Sequence, residues 1–527
     1  MERASAPRLV ESLGAKIEEL ESGFHRAFWE SQIHATPQND ATRAELEIEL
    51  RRVKGDRDAH AAVLAALDED IHDPVLKRQL QVLRLSLTGN QMEDDERVRI
   101  VGLATAIESE FASFRPEIDG RRASENDIKE ILRSENDEGR RRQAWAASKR
   151  VGAVVAERLQ DLVRARNEVA LRLGFADYYR MSLELQELSE EWLFDRLGEL
   201  EELTDEPFRR WKGQLDDRLR QRFGRDRIDA WHYADPFFQD PPPDTDVDLD
   251  PLLGERDAAE LAIATFGDWG IDIAGVIEKS DLYPRELKCQ HAFCLDVDRS
   301  GSDVRILANV IPGEAWIGVM LHESGHAAYD ISIDRHLPYL LRRATHTFVT
   351  EAIAILSGRL VRMPAWLKSY ARVAESEVTV LADDLRRSNA AQSLQFARWG
   401  LVMTHFERAL YADPEADLDA TWWELVERFQ MVPQPEDAPA GAWASKIHLA
   451  ASPVYYHNYL LGEMLASQLT NAIEEACGAL VASRSAGEFL VERVFRHGSL
   501  LRWDSLIEEA TGSALSAAAF AADVAAA

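Results

Sequence analysis

The stretch EAWIGVMLHESGHAAYDI, residues 314–331, carries the pattern on which the reading of this chain turns. Pro312-Gly313 closes the segment before it, and helix is predicted to resume at about Glu314. Inside this helix His322-Glu323-Ser324-Gly325-His326 is an HExxH motif. Residues four apart share one helix face, so His322 and His326 can reach one ion from a single rigid element. Glu323 stands one step round, where it meets a metal-bound water rather than the ion. Zinc lowers the pKa of such a water to about 7. A carboxylate there can take the proton and pass it to a leaving amine. The plain alternative is a chance match on an ordinary core helix.

A tetrahedral catalytic zinc needs a third protein ligand and one open position. The pattern HExxHxxGxxH fails, because Tyr329 and Ser332 stand where Gly and His are required. A Glu some twenty residues on also fails, since Ala344, Thr345 and His346 are there, and no Glu occurs between Glu323 and Glu351. Glu351 opens the helical run EAIAILSGRLV after a cap region at residues 345–350. A carboxylate on an otherwise apolar helix face needs a partner, and a metal is one. An exposed Glu favoured by the helix dipole is the other reading, and spacing alone leaves the two even. Asp330 and His336 are outsiders as ligands.

The chain of 527 residues can bury a large core without disulfides, and its Leu, Ala, Glu and Arg content predicts a mainly helical protein. The net charge of −31 disfavours nucleic acid and anionic membrane surfaces as partners. Three cysteines, Cys289, Cys294 and Cys477, make no disulfide framework and fit a reducing compartment. The first thirty residues read as a charged amphipathic helix rather than a signal peptide, and no apolar run approaches membrane-spanning length. Cytoplasmic localisation is the expectation.

Along the chain, residues 8–31 and 40–66 show the three- and four-residue apolar spacing of amphipathic helices. Residues 140–173 form a long helical run whose only interior glycine is Gly152. Three successive prolines and repeated Asp make residues 235–251 a loop; its Asp-rich part, near residue 244, lacks the ligand order of a calcium loop. Helix returns over 254–280. Two partly alternating apolar runs within 287–310, around Arg299-Ser300-Gly301-Ser302, predict a hairpin. A second Pro-rich loop spans residues 432–442, and the Ala-rich tail is a fraying helix.

HESGH followed by LPYLLRRATHTFVTEAIAIL resembles the angiotensin-converting-enzyme family of peptidyl-dipeptidases, a helical gluzincin family. The resemblance implies that Glu351 is the third zinc ligand. KIHLAASPVYYHNYLLGEMLASQL, from Lys446, is similar to the family's Lys-x-His segment and the tyrosine-bearing helix after it, with one residue inserted near Pro453. That likeness implies that Lys446 binds a substrate carboxylate, that His448 and Tyr459 stabilise the oxyanion, and that Tyr456 helps hold the substrate C-terminus. Independently, a carbonyl becoming an oxyanion needs donors of this kind in a dry site. QHAFCLDVD resembles the strand beside bound peptide, which implies substrate contacts for His291 and Ala292. RARNEVALRLGFADYYRMSLEL, from Arg164, is similar to a stretch shared with the thimet-oligopeptidase family. The likeness covers about residues 150–510 and is strongest around the metal. The sequence departs from the family at Tyr233, where a carboxylate-binding Gln is usual, at Asn458, where a chloride-binding Arg is usual, and at Ile355, where an Asp orients a zinc His.

The expectation is therefore an all-α ellipsoid split by a deep groove, with a small antiparallel sheet near the zinc site. Residues 1–150 form a helical region able to act as a lid, and residues 151–527 the catalytic region. The metal set is His322, His326 and Glu351, holding one Zn2+ per chain, with Glu323, His448 and Tyr459 catalytic and Lys446, Tyr456, His291 and Ala292 binding substrate. The expected activity is hydrolysis of small peptides with release of C-terminal dipeptides. The alternatives are internal cleavage of oligopeptides and a zinc-containing module that binds peptides without cutting them. The sequence leaves the oligomeric state open.

Overall fold

Side-chain caps set many of the helix starts among the described residues. The computed structural model describes residues 5–240, 247–254 and 256–527. It is 69% helical, with two antiparallel two-stranded sheets among the described residues, so the predicted all-α class is the one observed. The run expected over 40–66 is two helices, Pro37–Lys54 and Arg57–Leu67. Gly55 ends the first, and the Asp56 carboxylate accepts the Ala59 N–H to start the second. The region 254–280 is likewise divided, into Ala258–Asp268 and Ala274–Lys279, by a turn at Gly270, whose φ is +77°. Of the central loop, residues 241–246 lie outside the described residues. No described helix is long and apolar enough to cross a membrane.

The chain folds as two compact units. One comprises residues 92–247, 384–460 and 520–527. Its long helices, Glu138–Arg172 and Glu190–Phe223, start on Asp137 and Ser189, whose side chains accept backbone N–H groups. A Cβ at Gly152 would lie 2.1 Å from the Gly441 carbonyl oxygen, so glycine lets the first helix lie directly on the turn that precedes Lys446. Buried Arg141 donates to the carbonyls of Trp231, His232 and Tyr233 and fixes the aromatic loop there. This unit also holds a two-residue hairpin, β1 (Glu117–Ile118) with β2 (Arg121–Arg122), that the sequence reading did not anticipate.

The other unit comprises residues 1–91, 248–383 and 461–519. The predicted hairpin is here: β3 (Phe293–Asp296) pairs with β4 (Val304–Leu307), Cys294 opposite Ile306. Arg299 and Gly301 turn the chain with positive φ. In the same unit, helices Ala6–Ile33, Pro37–Lys54, Arg57–Leu67 and Pro74–Thr88 close a core of Val10, Ile17, Val53, Val63, Leu83 and Leu340. Glu21 is buried within that unit. Its carboxylate pairs with Lys54 at 2.5 Å and Arg299 at 2.8 Å, and accepts from the Tyr339 hydroxyl at 2.9 Å. Burial alone would raise its pKa, but Arg299 and Lys54 outweigh burial and hold it down at about 2.

A carboxylate depressed on folding stabilises above its unfolded pKa, and loses that contribution as pH falls through the folded one. Glu21→Gln is therefore expected to cost about 2–4 kcal/mol above about pH 4.5, because it leaves two half-buried cations without their shared acid. The gap between wild type and variant should close as pH falls towards about 2. Urea midpoints measured across that range check it; a gap independent of pH would refute it.

Candidate metal centre

The helix Glu314–Ser332 packs along the helix Thr347–Arg359 within one unit. The contact is close because Gly325 has no side chain. A Cβ there would sit 2.8 Å from Ser357 Oγ and 3.0 Å from both Ala354 Cα and the Ile353 carbonyl oxygen. On the Glu351 side, Gly462 of the helix Tyr456–Cys477 makes a similar approach, its notional Cβ 3.3 Å from Glu351 Cβ. The second helix begins earlier than expected. His346 caps it, its Nδ1 accepting the Phe348 N–H at 3.1 Å, so Glu351 lies one turn inside.

This packing brings the three predicted ligands together. One donor atom each from His322, His326 and Glu351 lies within 4.8 Å of the others. His322 Nε2 and Glu351 Oε2 are 3.9 Å apart, near the spacing of two atoms each about 2 Å from one ion. Among the described residues this is the one such cluster. Desolvation drives His322 down to about 4 and His326 down to about 3, so both imidazoles are neutral, the ligating form. Their second ring nitrogens are fixed as well. His322 is bonded to the Ala354 carbonyl, and His326 Nδ1 shares a 2.7 Å hydrogen bond with Thr350 Oγ1. Thr350 and Ala354 were missed from sequence. They do the orienting that the family gives to an Asp at the position of Ile355. Two neutral imidazoles and a carboxylate with oriented outer partners fit a zinc ion.

Glu323 is buried beside this cluster. Desolvation, then the Glu351 charge, push its pKa up to about 8, against a hydrogen bond from the Cys294 N–H of β3. The small sheet thus flanks the HExxH helix, as expected. His291 is exposed and Ala292 half-buried, immediately before β3.

The remaining candidates cluster in the other unit. The Tyr456 ring lies 5.2 Å from His448 and 5.6 Å from Tyr459, and its hydroxyl accepts from Trp399 Nε1 at 3.3 Å. Lys446 Nζ donates to Gln239 Oε1 at 3.0 Å, lies over the Phe237 and Trp399 rings, and is lowered by burial to about 8. Arg166 and Glu407 hold this segment, a role not foreseen. Arg166 donates to the Leu449 and Ala450 carbonyls, and Glu407 accepts the Val454 N–H at 2.7 Å. Val454 sits at the expected insertion with φ +53°, a strained value for a β-branched residue. The Tyr233 hydroxyl donates to Asp216 at 3.0 Å and accepts from Lys212 at 2.7 Å, so it is engaged inside the fold. Asn458 is buried and bonds Gln186.

Two substitutions separate packing from orientation. Gly325→Val is expected to force the two helices apart and abolish stoichiometric metal. Thr350→Ala is expected to keep the fold and weaken metal binding about 10–100-fold. Competition with a chromophoric chelator, beside circular dichroism, checks both.

A family model described as Peptidase family M3 matches residues 278–526, which include the metal cluster and the Lys446–Tyr459 segment. A second, described as Angiotensin-converting enzyme, matches residues 1–205. The likeness therefore reaches the N-terminal region, outside the residues 150–510 over which the sequence resemblance was placed. No curated protein matches the chain. With both family models meeting on one chain, it is a zinc metallopeptidase related to the angiotensin-converting-enzyme and thimet-oligopeptidase families of gluzincins.

Proposed function

We propose that the chain holds one zinc ion on His322, His326 and Glu351 and uses it to hydrolyse small peptides, releasing C-terminal dipeptides. The observation that carries the reading is the convergence of two neutral imidazoles and a carboxylate next to a buried acid, Glu323. Bound zinc supplies Lewis acidity, which acidifies water and polarises a carbonyl. Glu323 takes the water proton on its carboxylate and returns it to the leaving amine. His448 and Tyr459 donate to the developing oxyanion. Lys446, with Tyr456 beside it, receives the substrate's terminal carboxylate, and His291 and Ala292 contact the peptide backbone. These last roles rest on the sequence likeness and on the clustering of each group within its own unit.

Internal cleavage of oligopeptides is the second reading. It is favoured by the M3 match over the metal region and by the engaged hydroxyl of Tyr233. A module that binds peptides without cutting them leaves the proton-accepting position of Glu323 without a use. The cysteines, all free, fit a cytoplasmic setting.

Glu323→Gln is expected to retain zinc and lower kcat by about 10²–10⁴-fold. Metal analysis with a peptide-digest readout checks it, and wild-type turnover in the variant would sink the mechanism. For specificity, a peptide is digested as free acid and as C-terminal amide; equal rates select the internal-cleaving reading.

A further inference from the structure

Lys149, on the helix Glu138–Arg172, is 3% exposed. It lines a small, partly open pocket walled by Trp145, Tyr233, Phe237, Trp399 and Trp422. Its Nζ lies 3.2 Å from the centre of the Phe237 ring, and among the described residues it makes no hydrogen bond or ion pair. The neighbouring buried lysine, Lys212, shows the contrast, with Asp216 at 2.6 Å and the Tyr233 hydroxyl at 2.7 Å. The acid nearest in effect, Asp235, already accepts three backbone N–H groups, from Phe237, Gln239 and Asp240. Lys446 sits over the same Phe237 ring at 4.9 Å. Two desolvated ammonium groups thus share one aromatic ring as neighbour, and Lys149 is the one that lines the pocket.

Burying an ammonium without an acid is unfavourable, and an aromatic ring offsets only part of the cost. An anionic guest supplies the rest. We infer that Lys149 is a second carboxylate-binding lysine beside Lys446, and that this aromatic pocket receives a carboxylate from the C-terminal end of the substrate. The inference rests on the peptidase reading for the identity of the guest. Burial drives both lysines down from their ordinary pKa, and a bound carboxylate reverses that shift. The carboxylate has two possible sources, the main-chain terminus or the side chain of an acidic last residue.

The test uses the zinc-loaded full chain and three peptides alike except at the end: Gln free acid, Gln amide and Glu free acid. Values of kcat/KM are compared between wild type and Lys149→Met. If Lys149 takes the terminal carboxylate, the acid-to-amide ratio is expected to fall roughly tenfold in the variant. If it takes the side chain, the Glu-to-Gln ratio falls instead. Both ratios unchanged in a variant of wild-type thermal midpoint would overturn the inference. Lys149→Gln, which keeps a polar end in the pocket, serves the same comparison should the Met variant not fold. Calorimetric titration with the dipeptide Ala-Gln and its amide, run on the same proteins, keeps the two ideas apart. Lys149-dependent preference for the acid without any peptide hydrolysis upholds this site and removes the peptidase reading. Hydrolysis with Lys149-independent ratios and equal dipeptide binding removes this site alone.

Discussion

The approach of two helices through Gly325 is the contact on which the metal cluster depends. His322 and His326 are neighbours by helix geometry alone, whereas Glu351 belongs to another element and reaches them only if the two backbones nearly touch. The atoms a side chain at 325 would strike belong to Ile353, Ala354 and Ser357, the turn following Glu351. The same closeness sets the outer partners: the Ala354 carbonyl meets one imidazole, and the Thr350 hydroxyl the other. Packing, ligand position and ring orientation are three aspects of one backbone distance.

Cations do different jobs in the other unit. Arg141 and Arg166 are buried with their guanidinium donors spread over backbone carbonyls that have no ladder partners, so each fastens an irregular segment. One segment carries the aromatic wall at residues 231–233, the other leads from His448 to Tyr456. Glu407 completes the second by accepting the N–H of a residue in a left-handed conformation. Lys149, a compact point charge, faces a pocket, whereas these two arginines hold chain segments in place.

What could be read from the sequence divides along local and long-range lines. The HExxH helix, the β3–β4 hairpin and the helix Glu138–Arg172 carry their own punctuation and were legible. The start of the helix bearing Glu351 was misplaced because its cap is His346, a residue outside the usual capping set. The break at Gly55-Asp56 was hidden because apolar residues keep helical phase across it. Spacing left Glu351 undecided, since an acid on an apolar face looks the same whether it meets a metal or water. Thr350, Glu407 and Lys149 act through partners far along the chain, and a lysine in a charged helix reads as solvated until the opposing aromatic wall is in place.

The Glu21 network has a consequence for biogenesis. Its anchor Arg299 follows it by 278 positions. At ribosomal speeds of about 5–20 residues per second, the N-terminal helices emerge on the order of tens of seconds before that anchor exists. Through that interval a carboxylate destined for burial lies among apolar faces, with Lys54 as its early counter-ion. The full set of partners of Glu21 therefore exists only once the metal-side hairpin has been made.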